Sequence, residues 1–244
     1  MIFLYGRAGG DGFSEFFKNR YTMGVYDVPF WSPRFYDHKA RWIHYFNQIR
    51  AVAHEIARHE EAGRASFSVL EVGPSHGLVT GYLKKFGVAI KTLDVKPEYA
   101  PDFVGSVLAI PAADNSFEMS IACEVLEHLP FEDFPKALAE LRRVTRRTLF
   151  MSMPDARRTL FGGVLKFPFM KEIAWAVRFP ALRRLPPAPP GAHQWEIGMR
   201  GYPVARVLRE IRRAKFRVRN HYVRHDTPRN HYFVLDKDET EKLG

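Results

Sequence analysis

The residue types best suited to chemistry gather around one stretch of the chain, Ser68 to Phe86, and the strand ends that follow it. Glu71 stands just ahead of Gly73-Pro74-Ser75-His76-Gly77, a turn that lets backbone come close to a ligand because glycine has no side chain to block the approach. A carboxylate placed there would repel a pyrophosphate but suits a ligand that carries an ammonium or sulfonium group. Asp94 follows the turn by about twenty residues, the spacing at which an acid on the neighbouring strand can accept from both ribose hydroxyls. The plainer reading of Asp94 is a carboxylate that merely ends a strand.

The elements that must hold these groups alternate. Val69-Leu70-Glu71-Val72 reads as a strand, and Leu78, Val79, Tyr82, Leu83 and Phe86 fall at helical spacing after the turn. Further strands are expected at Val88–Asp94, Asp102–Ser106, Phe117–Cys123 and Thr148–Met153, with a helix from Phe134 to Thr145. A closing helix over Pro203–Ala214 precedes a hairpin of Phe216–Arg224 and His231–Asp236. Strand and helix in alternation predict an α/β domain, a parallel sheet covered on both faces.

Ahead of that domain, residues 1–63 are expected to form an aromatic-rich arm (Phe13, Phe16, Tyr21, Trp31, Phe35) and a helix from Asp37 to about His59, both packing on the core. The histidines of that helix do not share a face at ligand spacing, and no metal is assigned to the chain. Hydrophobic residues make up 46% and charged residues 26% of the chain, ordinary values for a globular protein. The single cysteine, Cys123, excludes an internal disulfide. With no secretory pattern at the N-terminus and no membrane-length apolar run, a cytoplasmic location is expected. The formal net charge of +10 suits an acidic partner such as nucleic acid or an anionic membrane, although no RNA-binding motif or zinc-finger spacing is found.

Five motifs in order carry a resemblance: Glu71 to Gly77 (EVGPSHG), Leu93 to Val95 (LDV), Ile110 to Glu118 (IPAADNSFE), Glu124 to Leu129 (EVLEHL) and Leu141 to Val144 (LRRV). Together they resemble class I S-adenosylmethionine-dependent methyltransferases, and more narrowly the methyltransferase type 11 group. The resemblance implies a Rossmann-like fold over residues 64–240, a seven-stranded mostly parallel sheet with an antiparallel last strand and helices on both faces. It implies S-adenosylmethionine as cofactor, with Gly73, Pro74, Ser75 and Gly77 beneath the methionine part and Glu71 near its ammonium. Asp94 would hold the ribose, Val95 would flank the adenine, Ser106 and Val107 would line the adenine edge, and Cys123 and Glu124 would border the sulfur. Ser75 replaces the usual middle glycine of the turn, and Ser106 replaces the usual aspartate.

On the acceptor side, His128 and Glu127 are the candidate catalytic residues, because they follow the fourth strand at the mouth of the site. The alternative is that they only order the loop. His193, Trp195 and Glu196, just before the closing helix, are candidate substrate contacts. Residues 154–200 form an insertion rich in aromatic, aliphatic and basic residues, read as a lid or acceptor pocket wall, with a membrane-surface helix or a dimer surface as alternatives. The expected activity is methyl transfer to a small-molecule or lipid-like acceptor, at oxygen or nitrogen rather than carbon. An RNA or protein methyltransferase and a non-catalytic S-adenosylmethionine-binding regulator are the alternatives.

Overall fold

The computed structural model describes residues 39–64, 66–169, 173–181, 189 and 191–238. The chain divides into two compact units, Met1–Trp42 and Ile43–Gly244, and the expected N-terminal aromatic arm lies outside the described residues.

The sheet of the second unit is built from β1 (Ser68–Val72), β2 (Ala89–Asp94), β3 (Phe103–Val104), β4 (Phe117–Cys123), β5 (Thr145–Pro154), β8 (Phe216–Val223) and β9 (Asn230–Lys237). In space these run in the order β3-β2-β1-β4-β5-β9-β8. The first five pair in parallel, and β9 runs antiparallel to both β5 and β8. This is the seven-stranded Rossmann-like methyltransferase sheet that the motifs imply. The order reverses beside β1, so β1 and β4 leave their carboxyl ends at the crevice where such sheets bind ligands.

Alternation along the strands assigns two faces. Val69, Met119, Ile121, Phe150 and Tyr232 pack with α1 (Lys39–Glu61) and α2 (Leu78–Lys85) through Val52, Val79 and Leu83. Leu70, Val72, Leu149, Met151, Phe233 and Leu235 turn the other way, onto α3 (Phe134–Val144) and α4 (Val204–Arg213) through Leu138, Leu141, Val207 and Ile211. Burial of apolar residues on both faces, at roughly 25 cal/mol per Å² removed from water, is the main driving force for this arrangement.

The insertion after β5 is a second, two-stranded sheet, β6 (Arg158–Leu165) paired antiparallel with β7 (Ile173–Phe179). Among the described residues of the insertion no helix forms. Phe161, Phe167, Phe169, Ile173 and Trp175 are all exposed. Because β6 is exposed along almost its whole length, its sequence carries no two-residue alternation to mark it as strand.

Candidate functional site

The glycine turn sits where three strand ends converge. The Gly73 amide donates to the Leu93 carbonyl at 2.8 Å, tying the turn to the tip of β2. Gly73 has φ of 69°, and a Cβ built on it would lie 2.6 Å from Val125 Cγ2 in the loop after β4. Only glycine fits this combination of positive φ and close approach. Gly77 is also left-handed, with φ of 68°, and so is Ser75 with φ of 52°. A serine thus holds the conformation for which the usual glycine is suited, at a cost of order 1 kcal/mol.

Glu71 is buried on the α2 side of β1 and accepts from the Thr80 hydroxyl and amide. Burial pushes its carboxyl up to about 7, the Thr80 bonds opposing. At the tip of β2, Asp94 Oδ1 accepts from the Lys96 amide at 2.9 Å, and partial burial raises its pKa. The neighbouring Val95 side chain stands 64% exposed, an apolar surface next to a carboxylate. Ser106 caps its own turn by accepting from the Leu108 amide at 3.2 Å. The Val107 side chain is buried in the core cluster that includes Leu138 and Leu141 of α3.

At the end of β4 the charge accumulates. Cys123 is buried, which raises its thiol pKa; Ser152 hydrogen-bonds to it, and the carboxylates of Glu124, Glu71 and Glu127 all bear on it electrostatically. Glu124 adopts φ of 57°, and its Oε1 accepts from Ser152 Oγ at 3.0 Å. Glu127 is fully buried, and neither carboxylate oxygen has a hydrogen-bond partner in another described residue. Burial raises its pKa well above the usual carboxylate range, and Glu124 adds to the rise. Three acidic side chains crowded around a low-dielectric site form an environment that a positively charged ligand completes.

The structure brings His193 and Glu196 to this mouth, although they lie some sixty residues away in sequence. The Gln194 amide donates to the Glu127 carbonyl at 2.8 Å, docking the segment on the loop after β4. His193 Nδ1 lies 2.8 Å from Glu196 Oε1, and Nε2 lies 3.8 Å from Glu127 Oε1. The His128 and His193 rings meet edge-on with centroids 5.0 Å apart. Burial lowers the pKa of His128, His193 adds to the fall, and the Gly191 and Ala192 carbonyls oppose it.

Trp195 follows in the same segment. It is fully buried, donates to the Leu129 carbonyl at 3.1 Å and packs against Phe131, Phe134 and Tyr202. It anchors the segment from within the core. Thr80 and Ser152, whose hydroxyls hold Glu71 and Glu124, are absent from the sequence-based set of site residues; nothing in their local spacing marks them.

A polar cavity of about 350 Å³ lies at the opposite end of the sheet, lined by Glu55, Arg58, His59, Glu118, Arg147, Arg219 and Asp236 among others. Its carboxylates are engaged: Glu55 and Asp236 pair with Arg219, and Glu118 with Arg146 and Arg147. The Glu55–Arg219 pair binds α1 to β8, and the others tie β4 to β5 and β8 to β9.

Residues 70–149 match the family model described as a methyltransferase domain. No curated protein sequence matches the chain. Among solved structures, the 1,6-didemethyltoxoflavin-N1-methyltransferase of Burkholderia thailandensis, with bound 1,6-didemethyltoxoflavin and S-adenosylhomocysteine, superposes with a TM-score of 0.53 at 13% identity, over 97% of this chain and 94% of that one. The N-methyltransferase NodS of Bradyrhizobium japonicum WM9, in complex with S-adenosylhomocysteine, gives 0.53 at 10% identity over 88% and 95%. Magnesium protoporphyrin IX methyltransferase of Synechocystis PCC 6803, with bound S-adenosylmethionine, gives 0.50 at 12% identity over 96% and 100%. At these identities the likeness is one of fold.

Proposed function

Residues 70–149 being a methyltransferase domain of the class I, S-adenosylmethionine-dependent type, we propose that the chain methylates a small-molecule or lipid-like acceptor at oxygen or nitrogen. The observation that carries this is the group of Glu71, Glu124 and Glu127 near the carboxyl ends of β1 and β4, all three acting electrostatically on the buried Cys123. When bound, S-adenosylmethionine supplies a methyl group on a positively charged sulfur, which suits that cluster.

The chain's own residues divide the remaining work. The backbone of Gly73 to Gly77 gives close approach to the methionine part, and Ser75 contributes a hydroxyl. Asp94 is the ribose acceptor, and exposed Val95 offers the adenine an apolar wall. Ser106, the backbone of Val107, Cys123 and Glu124 complete the border. His128 and Glu127 are the candidate catalytic side chains, with His193 and Glu196 as acceptor contacts. In an aligned displacement of this kind the protein's contribution is to orient the partners and exclude water. Structural neighbours named for their substrates act on small molecules, 1,6-didemethyltoxoflavin and magnesium protoporphyrin IX among them, which supports the acceptor class over RNA or protein.

Calorimetry with S-adenosylhomocysteine tests the cofactor site. The wild-type chain is expected to bind, and Asp94→Ala is expected to weaken binding at least about tenfold through loss of a charge-assisted hydrogen bond. No binding by the wild type would sink the enzyme and the regulator readings together. Unchanged affinity in Asp94→Ala would remove Asp94 from the ribose site.

A further inference from the structure

We infer that Glu127, His128 and His193 form a binding site for one divalent transition-metal ion of the zinc class, with Glu196 as the outer partner of His193. The acceptor-side role of that ion rests on the proposed methyl transfer; the site itself rests on geometry. A carboxylate oxygen of Glu127 and one ring nitrogen from each histidine lie within 4.8 Å of one another. Two nitrogens and one carboxylate oxygen are the donor set that zinc and its neighbours accept with a position left open.

Several independent features point to a missing ligand. Both Glu127 oxygens and His128 Nδ1 are buried polar atoms without a hydrogen-bond partner in another described residue, three such atoms in adjacent side chains. Leaving each unsatisfied costs about 1–3 kcal/mol, so the cluster is expensive unless something occupies it. The outer contacts are also those of a metal site. Glu196 holds His193 Nδ1 at 2.8 Å, which directs Nε2 toward Glu127. Carbonyls of Gly191 and Ala192 face the His128 ring. A histidine ligand characteristically has its other nitrogen held by a carboxylate or carbonyl, which fixes the tautomer and the ring plane.

Ligand atoms at about 2.0–2.1 Å from a tetrahedral ion stand roughly 3.3 Å apart, so the three groups need to close by about 1 Å or a little more. His193, whose side chain is 36% exposed on a loop, is the member free to do so. Its exposed side leaves the fourth position toward solvent, where an acceptor oxygen or carboxylate can bind. In this arrangement His128 acts as a ligand rather than as a proton acceptor.

The test uses the full chain stripped with a chelator and titrated with Zn²⁺ by calorimetry, then with Co²⁺ followed by its visible absorption. One equivalent of Zn²⁺ is expected to bind in the micromolar range or tighter, with a Co²⁺ band typical of nitrogen and oxygen ligands. His193→Ala is expected to weaken binding at least tenfold, and Glu196→Gln about tenfold. Binding of S-adenosylhomocysteine to the same variants shows that they are folded and reads the cofactor site separately. Absence of saturable Zn²⁺ binding, or equal affinity in His193→Ala, would overturn the site whatever the cofactor result.

Discussion

Gly73 sets the glycine turn against Val125 in the loop after β4, and two separate costs fall on any replacement. A left-handed backbone costs a non-glycine residue about 1–2 kcal/mol, and the added Cβ would overlap Val125 Cγ2. Gly73→Ala is therefore expected to lower S-adenosylhomocysteine affinity about tenfold or more. Adding Val125→Ala removes the overlap but not the backbone cost, so the double variant should recover affinity in part. If it recovers none, the steric argument fails and the backbone cost alone is responsible. At this scale the sequence is readable where one local pattern fixes one role. Glu71, the glycine turn and Asp94 announce themselves by spacing along consecutive elements. The partnership of His193 and Glu196 with Glu127 and His128 is legible only as an expectation that both segments reach the cleft, since no local period encodes a contact between distant loops. Trp195 is not readable in this way, because an aromatic side chain beside polar neighbours looks the same whether it faces substrate or core.

One knot of charge ties three elements together, and no sequence pattern marks it. Asp155, at the end of β5, is fully buried in its side chain and pairs with Arg157 at 2.6 Å and with Arg178 at 2.8 Å. His231 on β9 lies 3.2 Å from the same carboxylate. The knot thus joins the base of the β6–β7 hairpin to the main sheet through residues beside β5 and on β7 and β9. Burial opposes ionisation of Asp155, but hydrogen bonds from Arg157 and His231 and the charges of Arg157 and Arg178 outweigh it and hold the carboxyl far below its usual range. A depressed carboxyl stabilises the fold at all pH values above its unfolded pKa, about 3.9, and loses that contribution as pH falls toward the folded value. Thermal stability between about pH 5 and pH 2.5 should therefore fall more steeply for the wild type than for Asp155→Asn. Near neutral pH the variant should be less stable by about 3 kcal/mol, because Arg178 is left almost buried without its partner. Parallel slopes for the two proteins would mean that Asp155 does not carry the acid sensitivity. The sequence hides this knot because its members come from three separate stretches of the chain and each, taken alone, reads as a surface charge.

For the second unit as a whole, the proposed cofactor site and the hairpin are built on different principles. The glycine turn, Asp94 and the β4 end rest on a sheet buried on both faces, and among the described residues the hairpin sheet pairs only with itself. Nine of the fifteen exposed large hydrophobic residues among those described fall between Leu160 and Phe179. Such a concentration marks a surface kept for contact rather than for folding. No described helix is long and apolar enough to cross a membrane. We expect the hairpin to govern acceptor access without supporting the cofactor site, and a trimmed chain separates the two roles. Thr159 pairs with Arg178 near the hairpin base, so residues 160–177 can be replaced by Asn-Gly, a two-residue turn suited to antiparallel strands. This keeps Arg157 and Arg178, and with them the Asp155 knot. The trimmed protein should bind S-adenosylhomocysteine within about twofold of the wild type, since no residue of that site is removed, and should stay soluble at higher concentration because the exposed apolar surface is gone. Its KM for the methyl acceptor should rise several-fold, with the cofactor KM unchanged. A loss of cofactor affinity would show that the hairpin closes over the glycine turn itself. An unchanged acceptor KM would remove the hairpin from substrate selection and leave the loop of His193 and Glu196 to determine the acceptor.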